Sequence, residues 1–553
     1  MDGAADCERA GRLNGEMTMR LTRVTLCAVL VFMLVVPLEA EEALTEAPRA
    51  PERQEGEGPF ERLILRGVTL IDGTGAPARG PVDIVVENNR ITRIQSVGAP
   101  GVPIDPERRP EGGPEDRVME LDGHYVLPGF VDLHGHLGGS IRSTPAEYVL
   151  KLWMAHGITT ISDPGSGNGL DWMLWHKEKS AANEITAPRI EAYSAFGQDH
   201  EGPISTPAEA EAWVRSVAKR GADGLKLFGL RPDLMRATIE QASELGLKTT
   251  CHHAQLNVVW QNALDSARMG LTSMQHWYGL PEAMFTDRVS QDYPAAYDYN
   301  NEQDRFSEAG RLWQQAAPPY SDKWNEVMDE LVALDFTIVP TFVAYEATRD
   351  LSRMMQAEWH QKHALPNLWR FFLPDRLAHA SYWFYWGTEE EVAWKRNYQL
   401  WMTFINEFKN RGGRVAIGSD SGYSFNLYGF SHIREMELLR EAGFHPLEVI
   451  RSATLMGAQG LGMADQIGTV EPGKLADLVI VDENPLANLK TLYGIGALKL
   501  SDANEVTRVG SVRYTVKDGI VFDARQLLAD VREMVQQAKD EEGFEITIPG
   551  LPY

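Results

Sequence analysis

Two histidines separated by a single glycine, His134 and His136, carry the strongest chemical signal in the sequence. They follow the apolar run 130–133, which a Pro-Gly turn precedes and which is typical of a short strand. Side chains alternate along a strand, so both imidazoles point to the same side. Two imidazoles placed in this way can chelate a divalent metal ion. Taken alone, the pair would equally suit two histidines at an exposed strand end.

Further residues able to bind a metal stand at or near the ends of other apolar segments. They are Lys226, the adjacent pair His252 and His253, His276 and Asp420. A lysine inside an apolar strand is costly unless it is paired or modified. In a (β/α)₈ barrel the active site is built at the carboxyl ends of several strands. These residues therefore favour one metal site at that face of a barrel.

Alternating strand and helix patterns predict an α/β fold with parallel βα units. Eight strands, the number of a closed TIM barrel, are expected near 129–136, 157–163, 189–196, 223–228, 247–253, 270–276, 336–342 and 414–420. The barrel domain spans 128–465 and contains two long insertions, 277–335 and 343–413, both rich in aromatic residues. Such aromatic residues either contact a substrate or form the core of a helical subdomain.

The ordered set His134, His136, Lys226, His253, His276 and Asp420 resembles the metal-ligand set of the amidohydrolase superfamily. Segments 129–134, 446–454 and 468–479 resemble its first strand and its C-terminal signature. The resemblance covers roughly residues 60–525 and is nearest to the imidazolonepropionase and Xaa-Pro dipeptidase-like branch. It implies that segments 61–127 and 466–525 pair into one small composite β-sandwich beside the barrel.

The resemblance also implies two divalent metal ions. His134, His136 and Asp420 would hold the more buried ion, and His253 and His276 the second. Lys226, carboxylated by CO₂, would bridge both, since an unmodified ammonium has no acceptor atom. The family places His before Ala at this strand end, which selects His253 and leaves His252 as a packing or supporting residue. Zinc suits these ligands best, and manganese or cobalt would also serve.

The implied reaction is hydrolysis of an amide-type C–N bond in a dipeptide, an N-acyl amino acid or a cyclic amide. A metal-bridging hydroxide would attack, and Asp420 would act as general base and then general acid. A mononuclear deaminase of the same superfamily is the first alternative. It is disfavoured because Ala254 and Gln255 follow His253 where that branch has a glutamate. The second alternative is a non-catalytic exported binding protein, which the complete ligand set disfavours.

Three residues are weaker candidates for substrate binding. His200 follows the third strand, Arg142 follows the first, and Tyr278 follows His276. Each has a plainer interpretation: a solvated loop histidine, a surface ion pair and packing in the insertion. Asp163 resembles the family's structural aspartate, and His432 is a candidate neighbour of Asp420.

The composition of the chain narrows the range of expected binding partners. A formal net charge of −25 argues against nucleic acid, which requires a basic surface. The expected partner is a small-molecule or short-peptide substrate, and homo-oligomerisation stays open. Outside the barrel and sandwich, 41–60 is predicted to be a disordered linker and 526–553 a C-terminal helix with a tail.

The beginning of the chain predicts export. Arginines precede the apolar run 24–36, and Pro37 to Ala40 resemble a cleavage site. Residues 1–40 therefore read as a secretory signal peptide. The apolar run is too short to span a bilayer comfortably, so no membrane association is expected after cleavage. The predicted location is periplasmic or secreted.

Overall fold

The computed structural model describes residues 47–139, 144–375 and 382–550. The predicted signal peptide and Arg142 lie outside these ranges. The α-helices are α1 (Ala146–Ala155), α2 (Leu170–Ala181), α3 (Pro207–Arg220), α4 (Pro232–Glu244), α5 (Ala263–Arg268), α6 (Leu280–Ala283), α7 (Glu302–Ala309), α8 (Asp322–Ala333), α9 (Ala347–Met355), α10 (His360–His363), α11 (Pro366–Phe372), α12 (Thr388–Asn410), α13 (Phe430–Glu441), α14 (Pro446–Ser452), α15 (Leu455–Leu461) and α16 (Ala524–Glu542). None of the described helices is both long enough and apolar enough to cross a lipid bilayer.

The strands form two large sheets and one hairpin. They are β1 (Arg62–Leu70), β2 (Arg79–Glu87), β3 (Arg90–Ser96), β4 (Arg117–Glu120), β5 (Tyr125–Pro128), β6 (Phe130–Asp132), β7 (Ile158–Asp163), β8 (Arg189–Ala195), β9 (Gly224–Leu227), β10 (Lys248–His252), β11 (Ser273–Gln275), β12 (Thr337–Val339), β13 (Arg414–Val415), β14 (Leu478–Val481), β15 (Ala497–Leu500), β16 (Val506–Val509), β17 (Val512–Lys517) and β18 (Ile520–Asp523).

A curled parallel sheet carries the predicted ligands. Its order is β13-β12-β11-β10-β9-β8-β7-β6, and every neighbouring pair is parallel. The two edges meet at their carboxyl ends, where the Leu133 amide donates to the Ile417 carbonyl at 2.8 Å and the Asp420 amide to the His134 carbonyl at 2.9 Å. Each predicted barrel strand is thus confirmed within a parallel, barrel-like sheet.

The second sheet joins strands from both ends of the chain, as predicted. Its order is β18-β17-β14-β5-β1-β2-β3, and β4 also pairs with β1. These strands form one eight-stranded sheet, so the predicted sandwich of two facing sheets is not confirmed. Strand β5, which pairs antiparallel with β14, is followed almost at once along the chain by β6, the first barrel strand. This sheet therefore leads directly into the barrel.

The insertions contain helices rather than open loops. The first holds α6 to α8, and the second holds α9 to α12. Their largest aromatic side chains are fully buried, including Trp369, Trp394 and Trp401. Most of these aromatic residues therefore form the core of a helical layer.

The prediction of a disordered linker is wrong for residues 47–60. Ala47 and Ala50 are buried, and the Trp172 indole donates to the Ala47 carbonyl at 3.1 Å. Glu55 accepts from Thr186 at 2.6 Å and lies 2.7 Å from the Lys151 ammonium. This segment is an extended strap held on the outer helices of the barrel.

Candidate functional site

Three predicted ligands meet where the first and last strands of the curled sheet end. The Nε2 atoms of His136 and His134 lie 3.0 and 3.3 Å from the same carboxylate oxygen of Asp420. The ligand atoms of these three residues all lie within 4.8 Å of one another. This spacing suits a single divalent ion bound by two imidazoles and one carboxylate.

His276 extends this cluster from the end of β11. Its Nδ1 atom is hydrogen-bonded to the Thr341 hydroxyl at 2.5 Å, which leaves Nε2 3.9 Å from Asp420. Its ring lies 5.1 Å from that of His134. His276 and Asp420 have φ values of +66° and +48°, unusual for residues other than glycine. The left-handed backbone interrupts strand alternation at both positions.

Lys226 lies inside the sheet, as predicted. It is 2% exposed, and within the described part of the chain its ammonium has no hydrogen-bond partner. The nearest recorded contact is the Phe228 ring, whose centroid lies 5.5 Å from Nζ. Burial lowers the pKa of Lys226 to about 8. A buried amine in this state is unusually ready to lose its proton.

The structure brings His252, not His253, to the cluster. Thr250 pairs in register with Lys226, so the next residue but one, His252, shares its face. The His252 ring lies 4.6 Å from the His276 ring. His253 points the other way and is hydrogen-bonded to the Ser266 hydroxyl at 2.9 Å. The prediction that His253 faces the site is therefore corrected to His252.

Two buried aspartates hold the histidine-bearing segment. Asp163 accepts from the Leu137 amide at 3.1 Å, and its other oxygen lies 3.7 Å from Nδ1 of His136. Asp132 accepts from the His134 amide at 2.9 Å and contacts His432 Nδ1 at 2.9 Å. The sequence reasoning named Asp163 and His432 but missed Asp132. A carboxylate in a buried strand just before the histidine pair was the available signal.

The three weaker candidates for substrate binding differ in their position relative to the site. Tyr278 is buried with its ring 5.9 Å from that of His252, so it borders the site. His200 bonds the Gly202 carbonyl of its own loop at 2.9 Å, and no recorded contact among the described residues joins it to the cluster. Arg142 lies outside the described residues, and its suggested role stays a prediction.

The pKa shifts of the clustered histidines and Asp420 favour binding of a metal cation. Burial lowers the pKa of His276 to about 3 and that of His134 well below its usual range, so both rings are neutral donors. Burial acts to raise the pKa of Asp420, but the close approach of His134 and the hydrogen bond from His136, which a neutral ring can donate, outweigh burial and lower the pKa well below its usual range. A neutral imidazole set around an ionised carboxylate is a ligand set for zinc or a similar ion.

Comparisons with known proteins find similarity to amidohydrolases. The model of the Amidohydrolase family matches residues 402–521. The N-acyl-D-aspartate deacylase of Alcaligenes xylosoxydans xylosoxydans is 30% identical over 191 residues, which cover 33% of this chain and 35% of that protein. The 5-methylthioadenosine/S-adenosylhomocysteine deaminase of Desulforamulus reducens is 20% identical over 86% of this chain and 98% of its own.

Among solved structures, the fold is similar to that of a Xaa-Pro dipeptidase with methionine bound in its active site. The TM-score is 0.54 at 19% identity, over 84% of this chain and 100% of the other. A parallel, barrel-like sheet with histidines and an aspartate at its carboxyl end defines a class of metal-binding barrel proteins. The match of residues 402–521 to the Amidohydrolase family and the similarity to these relatives confirm the predicted resemblance to the amidohydrolase superfamily.

Proposed function

We propose that this protein is a binuclear metal-dependent hydrolase that cleaves an amide-type C–N bond. The observation that carries the proposal is Lys226, a buried amine without a described hydrogen-bond partner. An ammonium buried in this way costs free energy, which the attraction of Asp420 offsets only in part because the pKa of Lys226 stays lowered. Reaction with CO₂ forms an N–C bond, releases one proton and converts the amine to an anionic carbamate. Two carbamate oxygens would then be available as ligands.

The remaining residues fit two ions. His134, His136 and Asp420 would hold one ion, His252 and His276 the other, and carboxylated Lys226 would be shared. The charge of Lys226 contributes to lowering the pKa values of His134, His252 and His276, and also that of His253. Lys226 is thus near both sets. When bound, such ions, of which zinc suits the ligands best, activate water at neutral pH and polarise a carbonyl group.

Asp420 is the residue that would move the proton. It is ionised, and its carboxylate lies at the centre of the histidines. It would accept the proton of the attacking water and return it to the leaving nitrogen, first as base and then as acid. The proposed substrates are dipeptides, N-acyl amino acids or cyclic amides, in line with the names of the deacylase and dipeptidase relatives.

A mononuclear deaminase is the second candidate, because the relative matched over most of both chains is a deaminase. Among the described residues, the one tight group of ligand atoms is His134, His136 and Asp420, which would satisfy a single ion. That candidate gives no role to the buried amine of Lys226. A binding protein without catalysis is the third candidate.

The deciding experiment is the metal content of protein purified without chelator, combined with ¹³C NMR after incubation with labelled bicarbonate. We expect about two divalent ions per chain and a carbamate signal that Lys226→Met removes. Release of amino acids from N-acyl amino acids or dipeptides would complete the assignment. One ion, no carbamate and release of ammonia would favour the deaminase. Failure to bind metal on reconstitution would leave the binding protein.

We also propose, from residues 24–40 of the sequence, that the protein is exported. Fractionation of cells that express the full chain tests this. Recovery with periplasmic markers or in the medium, with residues 1–40 removed, is the expected result. Recovery of uncleaved chain in the cytoplasm would contradict it.

A further inference from the structure

One hydroxyl group contacts the Nδ1 atom of His276. The Thr341 hydroxyl oxygen lies 2.5 Å from Nδ1, whereas Nε2 of the same ring lies 3.9 Å from the Asp420 carboxylate. A neutral imidazole carries its proton on one nitrogen and accepts at the other, and only the unprotonated nitrogen can bind a metal ion. Whether Nε2 can be a ligand therefore depends on whether Nδ1 carries the proton.

The second hydrogen bond of Thr341 bears on that choice. Its hydroxyl has a single proton, which it donates to the Pro340 carbonyl at 2.6 Å. Both residues are buried, and within the described residues this hydroxyl is the donor recorded for the Pro340 carbonyl. A buried carbonyl needs such a donor, and a hydroxyl that donates to Pro340 can only accept from His276. This arrangement favours the tautomer with a proton on Nδ1 and a free electron pair on Nε2.

The backbone of Thr341 is strained. Its φ and ψ values, +52° and +44°, lie in the left-handed region, which a residue branched at Cβ rarely adopts. Strained conformations persist where the surrounding structure fixes them, and they cluster at functional sites. The conformation of Thr341 therefore requires contacts that hold the neighbouring backbone.

Side chains from three distant parts of the chain hold the backbone that follows this threonine. The two Glu435 carboxylate oxygens accept from the Phe342 and Val343 amides at 2.9 and 2.7 Å. The Phe342 carbonyl accepts from the Tyr398 hydroxyl at 2.6 Å, and the Val343 carbonyl accepts from the Asn426 side-chain amide at 3.1 Å. All three of these side chains are fully buried. Four hydrogen bonds thus fix the turn that places the threonine hydroxyl.

We propose that Thr341, held in place by Glu435, is a positioning residue that sets the tautomer of His276 and keeps Nε2 available for the second ion. Ligand histidines are commonly oriented by a hydrogen bond from the other ring nitrogen, and here a hydroxyl supplies the acceptor. The inference about the ion rests on the proposed hydrolase function. The tautomer is a property of the metal-free chain and does not depend on that function.

The tautomer is tested by solid-state ¹⁵N NMR of the metal-free full chain labelled at histidine. The His276 signals are those missing from the spectrum of His276→Asn. In the wild type we expect a protonated Nδ1 and an unprotonated Nε2. Thr341→Val keeps the branched shape but removes the acceptor, so we expect a gain of signal from protonated Nε2 in that variant.

Metal titration of the same proteins tests the consequence. Thr341→Val should weaken binding of the second ion by about tenfold to a hundredfold. Binding of the first ion should not change, because His134, His136 and Asp420 remain. Glu435→Gln replaces one acceptor oxygen with an NH₂ group, which cannot accept, so it should move the tautomer and the affinity in the same direction. Thr341→Ser keeps the hydroxyl and should retain the wild-type values of both.

Thr348→Val is the matched control. Thr348 is a buried threonine of α9 whose hydroxyl donates to the Tyr345 carbonyl. The variant removes a hydroxyl-to-carbonyl bond of the same kind, and it should change neither the tautomer of His276 nor the metal affinity. Circular dichroism and melting temperature establish that each variant is folded. The wild-type spectrum tests the tautomer whether or not the threonine variants fold.

A protonated Nε2 in the metal-free wild type, or an unchanged tautomer in Thr341→Val, would overturn the role of Thr341. Equal losses of metal affinity in Thr341→Val and Thr348→Val would do the same. Two bound ions with unchanged affinities in Thr341→Val would refute only the positioning role and leave the hydrolase proposal intact. The expected tautomer in a protein that binds at most one ion would refute only the binuclear proposal.

Discussion

A lysine is buried near each end of the curled sheet, and the two lysines differ in their hydrogen bonding. Near the amino end of β8, Lys517 donates to the Ser180 carbonyl and the Asn183 side-chain oxygen, each at 2.7 Å, and lies 3.2 Å from Asp518. At the carboxyl end of β9, Lys226 has no hydrogen-bond partner in the described part of the chain. The side chain of Lys517 is 1% exposed, and Lys226 is 2% exposed.

The difference separates a buried lysine that is hydrogen-bonded within the described part of the protein from one that is not. Burial lowers the pKa of both lysines, and carboxylates oppose it at each: Asp420 at Lys226, and Asp518 and Asp477 at Lys517. Of the two ammonium groups, that of Lys517 is the one that is also hydrogen-bonded within the described residues. The neighbouring Arg189 also contacts both Asp518 and Asp477, at 2.8 and 3.2 Å. Charges in such a network satisfy one another within the protein. A buried amine that the protein leaves unsatisfied is instead suited to a ligand or a covalent modification.

The largest expected effect comes from exchanging each lysine for methionine. Lys226→Met should lower hydrolytic activity by about a hundredfold or more, because loss of a direct ligand should cost at least as much as loss of a supporting one. The fold should be at least as stable as the wild type, since the variant removes a buried ammonium without a hydrogen-bond partner among the described residues. Steady-state assays and urea unfolding of metal-free protein measure both quantities.

Lys517→Met is the matched variant. It leaves buried carboxylates without their cation, so the free energy of unfolding should fall by about 3 kcal/mol. Activity per folded molecule should not change, because Lys517 lies away from the metal ligands. If Lys226→Met destabilised the protein as much as Lys517→Met and kept its activity, the contrast between the two ends would be lost.

The adjacent histidines of β10 give the next largest effect. His252→Asn should weaken binding of the second ion by at least about tenfold, because an imidazole facing His276 is removed. His253→Asn should keep both ions and lose about 1 kcal/mol of stability with its bond to Ser266. Metal titrations followed by mass spectrometry of bound metal check this. Loss of an ion in His253→Asn alone would restore the original assignment.

The adjacent histidines His252 and His253 also show what could not be predicted from the sequence. The barrel strands could be predicted because apolar runs and their polar ends recur along the chain, and each candidate ligand stands at such an end. Which of two neighbouring histidines faces inward depends on strand register, and a shift of one residue reverses every side chain. The pairing of Thr250 with Lys226 decides it, and no local pattern in the sequence records that pairing.

Long-range contacts explain the other differences. Residues 47–60 have the composition of a disordered segment, yet Ala47 and Ala50 bury themselves against α2. Their order comes from a surface more than a hundred residues away in sequence. The ends of the barrel strands could be predicted from local patterns, whereas the packing of residues 47–60 on a distant helix could not.

The comparison of buried titratable groups also applies to histidines outside the proposed metal site. Burial lowers the pKa of His360, which contacts the Met354 carbonyl at 2.9 Å, from 6.5 to about 4. Because the folded value is depressed, the unfolded chain takes up the proton first as pH falls. The contribution of His360 to stability is complete above pH 6.5 and is lost as pH falls to about 4.

We therefore expect the free energy of unfolding of metal-free protein to fall by up to about 3 kcal/mol for this group between those pH values. His360→Gln, which can still donate to the Met354 carbonyl, should flatten that part of the pH profile. His200→Gln, a change in a partly exposed loop, should not. Unfolding in urea at several pH values measures the slope. Equal slopes for His360→Gln and the wild type would mean that His360 is not the group that titrates, and the acid sensitivity would then belong to other buried histidines, such as His156, His363 or those of the site.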